Sequence, residues 1–255
     1  MKSKRLIPFL LISILSCQNL PNDKKTNDPP AKIETKEQPK AYRTEYSIDK
    51  ITHQPELIIE LNLRNNKAIT QLPASIQHLT NLRVLNISGT RISAIPEEIS
   101  HCKLLNEIIA NASRIRIIPE SIGNLKFVTE LNLGHNQISE LPESFGDMAN
   151  LKTIILGGNR LTSLPKSFQN LQAVEFCSVA HNDFTKFPDE ILGLSKVHQL
   201  WIHDNQISEI PLEIGRLKNL SHFLVDVHKI EKDNMKSVAA LLAGVRIVDE
   251  LIRNK

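Results

Sequence analysis

Apolar and polar positions along this chain repeat with a period of 23 residues. Apolar residues recur three and six positions after a proline, and nine, eleven and fourteen positions before it, as in Val128, Leu131 and Leu133. Such self-similarity predicts a solenoid in which each repeat packs only on its neighbours. A Leu-Pro-like pair marks each period at Leu72-Pro73, Ile95-Pro96, Ile118-Pro119, Leu141-Pro142, Leu164-Pro165, Phe187-Pro188 and Ile210-Pro211.

Each period contains one short stretch in which apolar and polar residues alternate. This pattern predicts a strand with its aliphatic side chains inward, and parallel stacking of these strands predicts a curved sheet. The proline segment returns along the convex side, where an extended backbone tolerates it. An asparagine follows most strands, where its amide can pair with backbone groups in the buried bend. We expect these residues to form a structural ladder of Asn66, Asn136, Asn159, Asn182 and Asn205.

The composite pattern LxxLxLxxNxLxxLPxxIxxLxx resembles the leucine-rich repeat family, in the 23-residue LP form found in bacterial surface proteins and eukaryotic signalling scaffolds. The resemblance covers about residues 55–230. It implies an α/β-type solenoid, a right-handed horseshoe with a parallel concave β-sheet and about seven to eight repeats. Both ends of such a solenoid need caps. We expect a helical N-terminal cap at 41–54, and a helix followed by an edge strand at 231–255.

The N-terminus predicts export. Residues 1–16 combine basic and apolar residues as a signal peptide does, and the apolar run is too short to span a bilayer. Cys17 follows Ile14-Leu15-Ser16, which resembles a bacterial lipobox, whose cysteine is acylated; the alternative is an ordinary signal peptide. The polar, proline-bearing segment 17–40 predicts a flexible tether. We therefore expect a lipid-anchored protein of the cell envelope, or a secreted one.

Charge and motifs exclude several function classes. The 31 basic residues outnumber the 28 acidic ones only because three basic residues lie in the signal peptide. We therefore expect no nucleic-acid partner, and membrane attachment only through the lipid anchor. No phosphate loop, GxSxG, HExxH or CxxC motif occurs, so we expect no enzyme and no cofactor. Cys102 and Cys177 occupy aliphatic core positions and are interpreted as small buried hydrophobes.

Function is therefore expected on the concave sheet face, at positions twelve, ten and eight residues before each proline. The N-terminal half of this face is polar and acidic, whereas the C-terminal half is apolar with an outward tryptophan, as at many binding hot spots. The alternative is that the C-terminal cap covers these residues as core. The predicted partner-binding residues are Ile155, Phe176, Trp201, Leu224 and His203.

A second cluster lies in the loops beside this face. His181 and Asp204 occupy one column of adjacent repeats, as do His203 and Asp226, and such a set could bind Zn²⁺ or form a solvated rim. The leading hypothesis is a non-enzymatic protein that binds a protein ligand, with host proteins among the candidates. The alternatives are a self-assembling structural module of the envelope, with or without zinc, and an intracellular signalling scaffold.

The lipobox-like sequence generates a direct test. We predict cleavage between Ser16 and Cys17 and acylation of Cys17. The acyl chains would then attach the protein to a membrane, since each buried methylene contributes about 0.8 kcal/mol. Mass spectrometry of the mature N-terminus should show an acylated cysteine, and Cys17→Ala should release the protein from the membrane. An unmodified Cys17, or cleavage elsewhere, would rule out this anchor.

Overall fold

The computed structural model describes residues 42–249, and Cys17 with the predicted signal peptide and tether lies outside them. Ten strands form one parallel sheet in chain order. This arrangement confirms the predicted solenoid with a parallel concave sheet, and β2 to β9 supply eight repeats. The strands are β1 Arg43–Glu45, β2 Ile58–Asn62, β3 Val84–Asn86, β4 Glu107–Ile109, β5 Glu130–Asn132, β6 Thr153–Ile155, β7 Phe176–Ser178, β8 Gln199–Trp201, β9 His222–Leu224 and β10 Arg246–Val248.

The convex side consists of short 3-10 turns that begin directly after the lattice prolines. Each proline has an extended backbone with φ between −65° and −77°, which its ring imposes and which suits the residue before a turn. The turns lie at Ala74–His78, Glu97–His101, Glu120–Asn124, Glu143–Asp147, Lys166–Asn170, Asp189–Gly193 and Leu212–Arg216.

The core is a continuous aliphatic layer between the sheet and the convex turns. Leu131, at the centre of β5, is completely buried, and so are its counterparts Ile108 and Ile154 in the adjacent strands. Phe145 and Phe168 stack between successive convex turns with ring centroids 5.9 Å apart. Because each repeat covers the apolar edge of the next, burial depends on stacking rather than on any single repeat.

Four buried asparagines form the predicted ladder on the bend after the strands. The Oδ1 atom of Asn159 accepts a hydrogen bond from Ile138 N at 3.0 Å, and its Nδ2 donates to Leu133 O and Leu156 O at 3.0 and 2.8 Å. Two of these three partners belong to the preceding repeat, so the side chain links adjacent turns. Equivalent bonds are made by Asn136, Asn182 and Asn205.

Asn66 does not join this ladder, contrary to the prediction. It is exposed, and its Oδ1 accepts only from Ala68 N, two residues along its own turn. The other ladder asparagines donate to a carbonyl of the preceding repeat, whereas Asn66 belongs to the first repeat and is preceded by the strand cap. Thr90 and Ser113 occupy the next two ladder positions, and their hydroxyls both donate to Ile87 O.

The N-terminal cap is a strand rather than the predicted helix. β1 pairs in parallel with β2, and 3-10 turns follow at Ile48–Lys50 and Pro55–Leu57. The otherwise open edge of β2 offers backbone groups that a strand can pair and a helix cannot, which explains the outcome. Ile51 still buries its side chain beneath the first repeat, as its apolar character indicates.

The C-terminal cap has the predicted helix and edge strand. Helix α1 spans Lys232–Leu241 and packs on the last convex turn, while β10 pairs in parallel with β9. Val238 and Leu242 are buried, so the helix covers the exposed end of the aliphatic layer. Among the residues that the structure describes, no helix has the length and apolar character needed to cross a membrane.

Candidate binding surface on the concave face

The concave face consists of side chains in straight columns, because the strands pair in register without a shift from β2 to β9. The first column runs through Glu60, Val84, Glu107, Glu130, Thr153, Phe176, Gln199 and His222. The middle column runs through Asn62, Asn86, Ile109, Asn132, Ile155, Ser178, Trp201 and Leu224. This arrangement confirms the columns predicted from the 23-residue spacing.

Two aromatic side chains meet on this face. Phe176 on β7 and Trp201 on β8 form a T-shaped pair with ring centroids 4.9 Å apart and planes at 81°. Both are half-buried, as is Ile155 on β6. An edge-to-face contact fixes both rings, so this part of the face presents a preformed apolar ridge.

Small residues lie beside this ridge. Gly134, Gly157 and Ala180 are all buried at the third outward position of successive repeats. A Cβ atom on Gly157 would lie 3.3 Å from the Ser178 hydroxyl oxygen and 3.2 Å from Ala180 O. Larger side chains would crowd the sheet at these positions. Because the residues are small, no bulky side chain stands beside the apolar ridge.

Leu224 and His203 do not fit the predicted role of exposed partner contacts. Their relative exposures are 4% and 5%, respectively. β10 lies next to β9 with Val248 opposite Leu224, so the C-terminal cap covers this end of the face. The cap therefore buries Leu224 but leaves Ile155, Phe176 and Trp201 partly accessible to a partner.

The predicted His/Asp cluster is divided between two groups. The Nδ1 atoms of His181 and His203 lie 3.3 and 3.1 Å from Asp204 Oδ2. Asp226 does not join them, because its Oδ2 accepts hydrogen bonds from Asp204 N and from Lys229 Nζ, both at 2.8 Å.

Asp226 instead groups with His228 and Asp249. His228 Nδ1 lies 3.5 Å from Asp249 Oδ1, and Asp249 is not among the metal ligands predicted from the sequence. The predicted edge strand offered a signal for it, because pairing of β10 with β9 brings the residue after Val248 beside Val225 and Asp226.

The N-terminal half of the face carries a row of carboxylates. Glu107 lies directly opposite Glu130, and Glu60 lies two strands away in the same column. Burial raises the pKa of Glu107 above its ordinary value of 4.5, and the negative charges of Glu130 and Glu60 raise it further. This half of the face therefore differs chemically from the aromatic half.

Both described cysteines are free thiols inside the core, as the sequence predicted. Burial raises the pKa of Cys102 and Cys177 to about 12. A nucleophilic cysteine reacts as its thiolate, and burial disfavours that form for both thiols.

Two family models described as leucine-rich repeat match this chain, at residues 81–102 and at residues 114–161 and 128–184. The repeats within these matched residues are leucine-rich repeats. No protein with curated annotation matches the chain. The matched residues include β5 to β7 and three of the four buried ladder asparagines, so the family pattern coincides with the part of the sheet that carries Ile155 and Phe176.

Solved leucine-rich repeat structures share the fold. An LRR protein of Leptospira interrogans is 22% identical, with a TM-score of 0.63 over 81% of this chain and 58% of its own. An internalin of Listeria monocytogenes, InlF, is 19% identical, with a TM-score of 0.65 over 76% and 57%. The Arabidopsis receptor kinase HAESA, solved with the peptide hormone IDA and the co-receptor SERK1, is 28% identical, with a TM-score of 0.56 over 61% and 28%. This chain thus spans less than two thirds of each of these structures.

Glu107→Gln should stabilise the protein at neutral pH. Like charges directly opposite each other in a sheet are destabilising, and the amide removes this repulsion. Because folding raises the pKa of Glu107, the ionised form opposes folding above that pKa, and this cost disappears as the pH falls towards 4.5 and below. Thermal melts should therefore favour the variant at pH 7 and coincide with the wild type near pH 4.

The control is Glu140→Gln, which replaces an exposed carboxylate outside the concave columns. It should leave the melting temperature unchanged at both pH values. A Glu107→Gln variant that is less stable than the wild type at pH 7 would show that this carboxylate is favourably paired.

Proposed function

We propose that this leucine-rich repeat protein binds a protein ligand through the C-terminal half of its concave face, at the cell envelope or outside the cell. The observation that carries this proposal is the T-shaped pair of Phe176 and Trp201, with Ile155 next to it on β6. Partly exposed aromatic side chains among polar residues are typical of binding hot spots, because they bury a large area at little cost in conformational entropy.

The framework around the pair supports binding rather than catalysis. The strands are held in register by backbone hydrogen bonds, and the rings rest against each other, so little ordering remains to be done when a partner binds. Several similar solved structures are complexes of plant receptors, such as the receptor kinase HAESA with the peptide hormone IDA and the peptide hormone receptor RGFR1 with RGF2. A protein or peptide ligand is therefore the partner class that we propose for this face.

Display at the envelope is supported by the predicted signal peptide and by the lipobox-like sequence before Cys17. An acyl anchor followed by the predicted tether of residues 17–40 would hold the solenoid at a membrane. Proteins of a host and proteins of the cell's own envelope are both candidate ligands. Separate capture experiments with proteins from each source distinguish the two.

Ile155→Ala should weaken ligand capture, whereas the matched variant Ile109→Ala should not. Both residues occupy the middle column of the concave face and both are half-buried, but Ile109 lies two repeats away from Ile155, in the acidic half. Trp201→Ala should have the larger effect, because truncation of a central aromatic residue costs about 2 kcal/mol or more, or about 30-fold in affinity. Immobilised wild type and variants would be exposed to host extracellular proteins and to envelope extracts, and captured proteins quantified by mass spectrometry.

Thermal melts of the same variants separate binding from folding. If Trp201→Ala lowers the melting temperature by many degrees, the indole acts mainly as core beneath the C-terminal cap. If no captured protein depends on Trp201 and Ile155 more than on Ile109, the aromatic half of the concave face is not the binding surface.

A further inference from the structure

Two imidazoles and one carboxylate converge on one point beside the concave face. Asp204 Oδ2 lies 3.3 Å from His181 Nδ1 and 3.1 Å from His203 Nδ1, and the two rings meet edge to face with centroids 5.1 Å apart. The three potential ligand atoms all lie within 4.8 Å of one another. We infer that His181, His203 and Asp204 bind a Zn²⁺ ion, with water as the fourth ligand.

The distances match the edges of a zinc coordination sphere. Zinc binds histidine nitrogen and carboxylate oxygen at about 2.0–2.2 Å in tetrahedral geometry, which places neighbouring ligand atoms about 3.3 Å apart. Both measured nitrogen-to-oxygen separations are close to this value. The ion therefore needs only a small adjustment of the two imidazoles, whose Nδ1 atoms already face the same carboxylate oxygen.

The backbone places these side chains together through the repeat itself. His181 and Asp204 occupy the same position in successive repeats, immediately before the ladder asparagines Asn182 and Asn205. Both have positive φ angles, 51° and 52°, a conformation in which histidine and aspartate are enriched. The neighbouring turns are joined by a hydrogen bond from His181 N to His203 O at 2.9 Å, so the ligand set is positioned by the stacked repeats.

The donor set favours zinc over the alkaline-earth ions. Two imidazoles and one carboxylate suit Zn²⁺, whereas Ca²⁺ and Mg²⁺ prefer oxygen ligands. His203 is buried, while the side chains of His181 and Asp204 are 54% and 40% exposed, so water can reach the fourth position. The carboxylate of Asp204 forms ion pairs with both of these histidines.

The neighbouring group of Asp226, His228 and Asp249 is a weaker candidate for the same ion. The ammonium of Lys229 lies 2.8 Å from Asp226 Oδ2, and it would repel a divalent cation. Asp226 Oδ2 also accepts a hydrogen bond from Asp204 N, so this oxygen already has two donors and is less available to a metal ion. This difference assigns the ion to the first group.

The test is a calorimetric titration of the untagged chain with ZnCl₂, in a Cys17→Ser background so that this thiol adds no ligand. We expect one zinc ion per chain and no binding of CaCl₂ or MgCl₂. His181→Asn and Asp204→Asn should each weaken zinc binding by at least about tenfold, since even the partners that merely orient metal ligands are worth 10–100-fold. Asparagine tolerates the positive φ at both positions, so these variants should fold normally.

His135→Asn is the matched control. His135 has the same position in its repeat and a φ of 54°, but the next repeat has Gly158 where His181 faces Asp204. This variant should bind zinc as the wild type does. Absence of stoichiometric zinc binding, equal loss in His135→Asn, or loss in His228→Asn without loss in His181→Asn would each overturn the assignment. The site does not depend on the proposed protein ligand, because zinc alone is the probe.

Discussion

The bend after each strand leaves backbone N–H and C=O groups in the interior of the solenoid, and the structure depends on pairing them. A buried backbone group without a partner costs free energy comparable to a lost hydrogen bond. The asparagine ladder satisfies this requirement across repeats, since Asn159 pairs with groups of its own repeat and of the preceding one. The aliphatic layer drives stacking, and the ladder links adjacent turns in the four repeats that carry a buried asparagine. The columns of the concave face stay in register from β2 to β4 as well, where Thr90 and Ser113 take the place of the asparagine.

The candidate sites use the same regularity in two ways. Phe176 and Trp201 come from adjacent repeats and meet because parallel strands lie one spacing apart. His181 and Asp204 meet because the residue before each ladder asparagine recurs every 23 positions on a left-handed backbone. A repeat fold can thus create a site by substituting one position in neighbouring copies, without changing the backbone.

Most of the fold could be predicted from the sequence because the 23-residue period constrains strands, turns and columns together. The ends could not be predicted as well, since a cap is not a repeat: β1 replaces the expected helix, and β10 buries Leu224. Asn66 likewise stays outside the ladder, because its repeat is the first and has the cap rather than a repeat before it. The repeat spacing places His181 next to Asp204, as predicted, but Asp226 does not join them. Its carboxylate pairs with Lys229, and this contact depends on how the last turn folds.

Equilibrium unfolding of Asn159→Ala and Ser113→Ala tests the role of the ladder most directly. Both residues occupy the same position in their repeats. Loss of the Ser113 hydroxyl removes one long hydrogen bond from Thr90 N, at 3.3 Å, but still leaves Thr90 Oγ1 donating to Ile87 O. Asn159→Ala leaves Ile138 N and two carbonyl groups without this partner, so it should cost about 1–3 kcal/mol. Ser113→Ala should cost clearly less. Equal effects, or an Asn159→Ala variant as stable as the wild type, would contradict the dependence of the solenoid on its asparagines.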